Sequence, residues 1–235
     1  MVELLRWCGV LLLCASLTVA QEPVRPAPLR NAEDTRLRLA GKLLLDARRD
    51  GFMPLKEIVY APARTHFLVL ACGYECNDNL GFLFRADGSG KRKFTARGDF
   101  ILQSSIEWSA DGRKVYYYRI NSSGAAVPRG APPEGWIEVD VKTGLKAPAR
   151  SRRLKTTASY AVFNVRDDDV LNVRAGADTK AQIVGSLPHS AKDVRVTGAA
   201  VRAGGNVWAP IQVNGLTGWV NQNYLCESRA QTKPN

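Results

Sequence analysis

NLGFLFRADGSGKRKFT at residues 79–95 and IEWSADGRKVYYY at residues 106–118 decide the fold of this chain. Each stretch sets Asp-Gly between apolar runs, which is a hairpin signal. The Asp closes the turn on its own backbone, and the Gly takes the positive φ that a tight turn needs. Working outward, EIVYAPARTHFLVL (57–70) reads as two strands around a Pro-containing turn. GWIEVDVKTG (135–144) alternates apolar and polar residues, then turns at Thr143-Gly144. Residues 121–135 (NSSGAAVPRGAPPEG) form a loop rich in Pro and Gly.

A repeat runs through this region. Ile58, Tyr60, Phe67 and Val69 align with Ile106, Trp108, Val115 and Tyr117 at an offset of 48 residues. Gly81, Phe82 and Gly90 align with Gly135, Trp136 and Gly144 at an offset of 54, the difference falling in the 121–135 loop. Each unit has the elements of one four-stranded antiparallel blade. The segment resembles the TolB-type propeller repeat through Asp87, Gly88, Ser89, Phe94 and Thr95, then Trp108, Ser109, Asp111, Gly112, Arg113 and Lys114. Ala110 replaces the usual Pro, and Ala61-Pro62-Ala63-Arg64 is a degraded first copy. Propellers close with about four to eight blades, so two units cannot form a ring. The expectation is a small β-sandwich, a pair of packed sheets, or closure by self-association.

Residues 33–50 (EDTRLRLAGKLLLDARRD) place Leu37, Ala40, Leu44 and Ala47 at helical spacing, with Gly51 as a stop. A short amphipathic helix is the expectation, and the Leu43–Leu45 run makes strand its competitor. Residues 21–32 (QEPVRPAPLRNA) read as a linker. Residues 1–20 carry Arg6, an uncharged stretch at 7–17 and a small residue at Ala20, as a cleavable secretory signal does. Removing it takes Cys8 and Cys14 away and leaves Cys72, Cys76 and Cys226. In an oxidising compartment thiols pair. Cys72 and Cys76 are the favoured disulfide, with a bond from Cys226 to one of them as the alternative.

The 235-residue chain carries 33 Lys+Arg against 22 Asp+Glu, a formal charge of +11. With 45% hydrophobic residues it is globular in composition, not disordered or collagen-like. Apart from Lys91-Arg92-Lys93 and Arg150–Lys155, the charge is spread, which suits weak attraction to an acidic envelope surface better than nucleic-acid binding. Residues 145–158 (LKAPARSRRLKTTA) carry five bases and no acid, and read as a solvated basic linker between domains.

Beyond it, residues 159–228 contain short apolar clusters separated by turns at Ala175-Gly176, Gly204-Gly205 and Asn214-Gly215, the pattern of a small β-barrel. This segment resembles the bacterial SH3 domain. The carrying residues are Leu171-Asn172-Val173-Arg174-Ala175-Gly176, Ile183, Gly185, Leu187, Pro188, Val194, Trp208, Gly218-Trp219-Val220 and Tyr224-Leu225. TGAAVRAGGN at 197–206 is a variant feature where the family has a short loop. Trp208, Trp219 and Tyr224 are large for so small a barrel, so any left outside would make a binding shelf. Trp219 reads first as core, Trp208 as core or groove wall, and Tyr224 as a hydroxyl offered to a ligand. Asn172 and Arg174 read as turn-fixing residues, with ligand contact as the alternative.

Catalytic patterns are sparse. His66 and His189 have no metal-ligand spacing, and no phosphate loop or nucleophile elbow is present. A thiol hydrolase would need His66 to activate Cys72 or Cys76. Glu75, Asn77, Asp78 and Asn79, and likewise Asp167-Asp168-Asp169, read as polar turns before cation sites. The expectation is therefore an all-β, exported, periplasmic or secreted protein with no catalytic residue, metal or cofactor. What is known of the SH3 resemblance implies recognition of peptidoglycan or a peptide. The rivals are a periplasmic scaffold that meets an envelope protein through sheet edges, and a wall-active hydrolase. No nucleic-acid partner is expected, and membrane contact is expected only through the signal.

Overall fold

The computed structural model describes residues 35–73, 78–95, 99–121 and 134–228. The expected signal, the 21–32 linker, most of the 121–135 loop, and Glu75, Cys76 and Asn77 lie outside them.

The first described element is a hairpin, β1 (Arg36–Leu39) and β2 (Lys42–Asp46), followed by a single helical turn, α1 (Ala47–Asp50). This corrects the expected helix over 33–50. Ala40 and Gly41 both take positive φ, 47° and 80°, so the chain reverses where a helix would have run on. Strand alternation then buries Leu37 and Leu39, and a β-bulge at Leu44 lets Leu44 and Leu45 both turn inward. The helix survives as α1, which Asp46 caps by accepting from the Arg48 and Arg49 amides and Gly51 ends in the left-handed region.

Two blades follow. The first holds β3 (Leu55–Tyr60), β4 (His66–Cys72), β5 (Asp78–Arg85) and β6 (Arg92–Lys93). The second holds β7 (Asp99–Trp108), β8 (Lys114–Asn121), β9 (Gly135–Asp140) and β10 (Lys146–Pro148). All neighbours are antiparallel, and the pairs Asp78–Leu102 and Asn79–Ile101 join β5 to β7. The repeat offsets carry β3 and β4 onto β7 and β8, then β5 and β6 onto β9 and β10. In both Asp-Gly turns the carboxylate accepts a backbone amide, Ser89 N to Asp87 at 2.8 Å and Arg113 N to Asp111 at 3.0 Å. Gly81 is set by close approach: a Cβ there would lie 2.1 Å from the Phe94 ring.

Each blade is buried on both faces. Phe67, Val69, Phe82 and Phe84 of the first blade pack under the β1–β2 hairpin with Leu37, Leu39, Leu44 and Leu45. The opposite face, with Leu68, Leu70 and Leu83, meets Ile106, Trp108, Val115, Tyr117, Ile137 and Val139 of the second blade. The second blade then offers Tyr116 and Trp136 to Phe163 of the C-terminal unit. Two blades need no ring, because a hairpin covers one outer face and a barrel the other. A strand buried on both faces reads as a continuous apolar run, and HFLVLAC in β4 is such a run.

The C-terminal unit comprises β11 (Ser159–Val162), β12 (Val170–Arg174), β13 (Ile183–Pro188), β14 (Val194–Val196), β15 (Val201–Ala203), β16 (Asn206–Val213), β17 (Leu216–Asn221) and β18 (Leu225–Glu227). A 3-10 turn, Gln222–Tyr224, separates the last two strands. The sheet, ordered β13-β12-β17-β16-β14-β11-β18, wraps one core of Tyr160, Val173, Val194, Ile211, Val220 and Leu225.

The segment 145–158 is exposed over much of its length but is more than a solvated linker. Its start is β10, paired with β9, and Arg152 is only 1% exposed. Arg152 Nε and Nη2 donate to the two carboxylate oxygens of Glu107 at 2.8 and 2.7 Å. Its Nη1 and Nη2 also reach the carbonyls of Gln222 at 3.0 Å and Leu225 at 2.6 Å. The guanidinium lies 3.7 Å from the Trp136 ring centroid. A planar five-donor fork suits such a seam, where each N–H needs a partner.

Candidate functional site

A groove of about 450 Å³ opens on the outside of the barrel. Its floor is β12, where alternation sends Leu171 and Val173 toward the core and leaves Asn172 and Arg174 half-buried on the outer side. The loop before β12 supplies Asn164, Val165, Arg166 and Asp169, while Trp208, Asn221 and Tyr224 form the far wall.

The walls are fixed by directional bonds. Arg174 Nη1 donates to the Ala181 carbonyl at 2.8 Å, which ties the guanidinium to the turn it was expected to fix. Trp208 is buried, and its Nε1 donates to the Ala203 carbonyl at 3.3 Å. The variant segment 197–206 thus becomes a small hairpin, β15 on β16, that covers this indole. Asn221 accepts from the Asn223 amide at 3.1 Å and so caps the turn that carries Tyr224. Tyr224 itself stands 38% exposed. Asp169 accepts from the Val170 amide at 2.7 Å. Arg166 pairs with Asp168 at 3.2 Å on the exposed rim.

Of the five candidate ligand residues, the groove brings together Asn172, Arg174, Trp208 and Tyr224. Trp219 is not among its lining residues. It is also not core, because its neighbour Val220 takes the inward position on β17 and leaves Trp219 half-buried opposite Pro210 and Arg174. Sequence reasoning missed Asn164 and Asn221. Asn164 sits at φ 54°, a left-handed conformation that Asn tolerates better than most residues. Its Nδ2 donates to the Tyr118 hydroxyl at 2.7 Å. Burial raises the Tyr118 pKa, the nearby Glu134 and Tyr224 add to the rise, and the bond from Asn164 opposes it. The phenol therefore stays neutral and can serve as an acceptor.

The other candidates sit elsewhere. Cys72 is fully buried at the end of β4. His66 opens the same strand, which places the two roughly 20 Å apart at ~3.3 Å per residue. No Cys72–His66 dyad can form. Burial beside Arg85 lowers the His66 pKa. The Cys72–Cys76 pairing falls partly outside the described residues, as does the 75–79 polar cluster. Asp167-Asp168-Asp169 is an exposed turn. Among the described residues no helix is long and apolar enough to cross a membrane.

The groove can stack a flat or apolar group on the exposed Tyr224 ring, which the buried Trp208 backs, and bond amides through three Asn side chains, with two cations and one carboxylate nearby. No His or Cys lines it.

Comparison with known proteins locates the same unit. Residues 169–225 match the family model of the bacterial SH3 domain, about a quarter of the chain. Among curated proteins no relative matches. Of solved structures, TolB from Acinetobacter baumannii shares 12% identity at a TM-score of 0.32, over 79% of this chain and 48% of that one. An oligogalacturonate lyase in complex with manganese shares 16% at a TM-score of 0.33, over 83% of this chain and 55% of that one. The chain spans about half the length of these structures. At such TM-scores the likeness is loose, and the paired blades rest on their own strand pairing.

Proposed function

We propose that the protein is an exported, non-catalytic binding protein whose bacterial SH3 domain holds peptidoglycan or a peptide at the cell envelope. The observation that carries this reading is the groove. It gathers Asn164, Asn172 and Asn221 with Trp208 and Tyr224 on one preformed surface. A peptide or peptide-bearing glycan presents amides in series with small apolar side chains, and an Asn-lined groove with an aromatic wall satisfies both. The domain match supports a wall or peptide ligand over other amide-rich molecules.

Retention on purified peptidoglycan tests the reading. The full chain is expected to co-sediment, and Tyr224→Ala or Asn172→Ala to lose most of that retention while keeping the native circular dichroism. No retention of the folded wild-type chain would sink the wall reading.

Export agrees with the apolar stretch before residue 20. Export further predicts a Cys72–Cys76 disulfide, which non-reducing intact-mass analysis would show as a chain two hydrogens lighter than its reduced form. A second reading, a scaffold for an envelope protein, is favoured by β13. This edge strand leaves Ile183 50% and Val184 43% exposed, and an added strand could pair there. Crosslinking that captures one partner through β13, without wall retention, would select it.

A further inference from the structure

We infer that the second blade is part of the ligand site: Trp136 and Arg152 are positioning residues for the Tyr224 wall of the groove, and Tyr118 is one for Asn164. The inference rests on the groove being the binding surface.

Tyr224 rides on one turn of 3-10 helix, an element of weak intrinsic stability. Its backbone carbonyls are held mostly from outside. Gln222 O accepts Arg152 Nη1 at 3.0 Å, Asn223 O accepts Trp136 Nε1 at 3.0 Å, and Leu225 O accepts Arg152 Nη2 at 2.6 Å. Tyr224 O accepts the Phe163 amide at 2.9 Å. Two of these donor residues, Trp136 and Arg152, lie outside the barrel. Trp136 is on β9 of the second blade, and Arg152 lies in the seam, locked by the buried Glu107 of β7. The groove's other wall has the same dependence. Asn164 holds an uphill backbone conformation, and its side chain is anchored on Tyr118 of β8.

Apolar contact alone would suffice to dock two domains. Here the Tyr118, Trp136 and Phe163 rings do pack together, yet the directional donors are aimed at the segment that carries the groove wall. The barrel without the blade would keep its core and lose the fixed position of Tyr224 and Asn164.

The test uses the full chain. Trp136→Phe keeps a six-membered ring but removes the N–H donor together with the pyrrole part of the face on which Arg152 stacks, and Tyr118→Phe removes the acceptor for Asn164. Tyr116→Phe is the control: it sits in the same cluster, but its hydroxyl meets Ser151 and not the groove walls. Hydrogen exchange gives a readout that needs no ligand. In Trp136→Phe the Phe163 and Leu225 amides are expected to exchange about tenfold faster, the scale of one lost hydrogen bond, with the β12 amides unchanged. Soluble peptidoglycan fragments serve as the binding probe. Affinity is expected to fall roughly fivefold to tenfold in Trp136→Phe and Tyr118→Phe, and to stay at the wild-type value in Tyr116→Phe.

Wild-type exchange at Phe163 and Leu225 in Trp136→Phe overturns the inference. So does wild-type affinity in that variant when Tyr224→Ala has lost binding, a result that leaves the groove reading intact. If the wild-type chain binds no fragment but exchange responds as expected, the positioning stands and the proposed ligand class fails.

Discussion

Arg152 shows how far one side chain's role depends on its surroundings. In the sequence it is one base among five in a Pro-containing segment; in the fold it is a buried fork on Glu107. A buried pair is costly to break because the remaining charge has no partner. Arg152→Ala is therefore expected to lower stability by about 3–5 kcal/mol, read as a shifted urea midpoint at unchanged slope. Replacing both partners, Arg152→Met with Glu107→Leu, should cost less than either single change. Asp50 is the residue-scale pH sensor. Burial pushes its carboxyl upward, but hydrogen bonds from Arg49 and Lys91 outweigh that and hold it at about 2. A depressed folded pKa stabilises the fold above the ordinary carboxyl value of 3.8 and ceases to do so as pH falls through about 2. Asp50→Asn should thus lose on the order of 1–2 kcal/mol at pH 6 and little at pH 2, seen by comparing thermal melts at both values.

At the scale of elements, each blade is a hairpin pair whose turn residues were legible. Asp87-Gly88, Asp111-Gly112 and Thr143-Gly144 all turn where the sequence places them, because Asx hydrogen bonds and positive-φ glycines are local properties. The N-terminal hairpin was less legible. Leu37 and Leu44 satisfy helical and strand periodicities alike, and the neighbouring blade face decided between them. Gly81 depends on a residue thirteen positions later. Gly81→Ala would drive a Cβ into the Phe94 ring and is expected to cost about 1–3 kcal/mol. Phe94→Leu in the same chain should recover part of that loss, and a double-mutant cycle by chemical denaturation measures the coupling.

Across the whole molecule, hairpin, blade, blade and barrel stack in that order, and every interior face has a cover. Removing residues 35–54 would bare Phe67, Val69, Phe82 and Phe84 on one face. That variant is expected to bind a hydrophobic dye and elute as aggregate in size-exclusion chromatography, since so large an apolar face does not stay exposed on a monomer. A monomeric, dye-silent product would contradict the stacked arrangement.

The sequence by itself determined most of the blade and barrel strands, the turns, the twofold repeat and the barrel, because alternation and turn chemistry act within a few residues; it missed β1 and β2, read as helix, and β10, read as linker. It also marked four of the groove's residues: Asn172, Arg174, Trp208 and Tyr224. Only the tertiary structure decided that Trp219 stands apart, that Asn164 and Asn221 join the site, and that Arg152 is buried. Those outcomes depend on partners up to 73 residues away in the chain, and hydrogen bonds across such separations leave no periodic trace in the residues that make them.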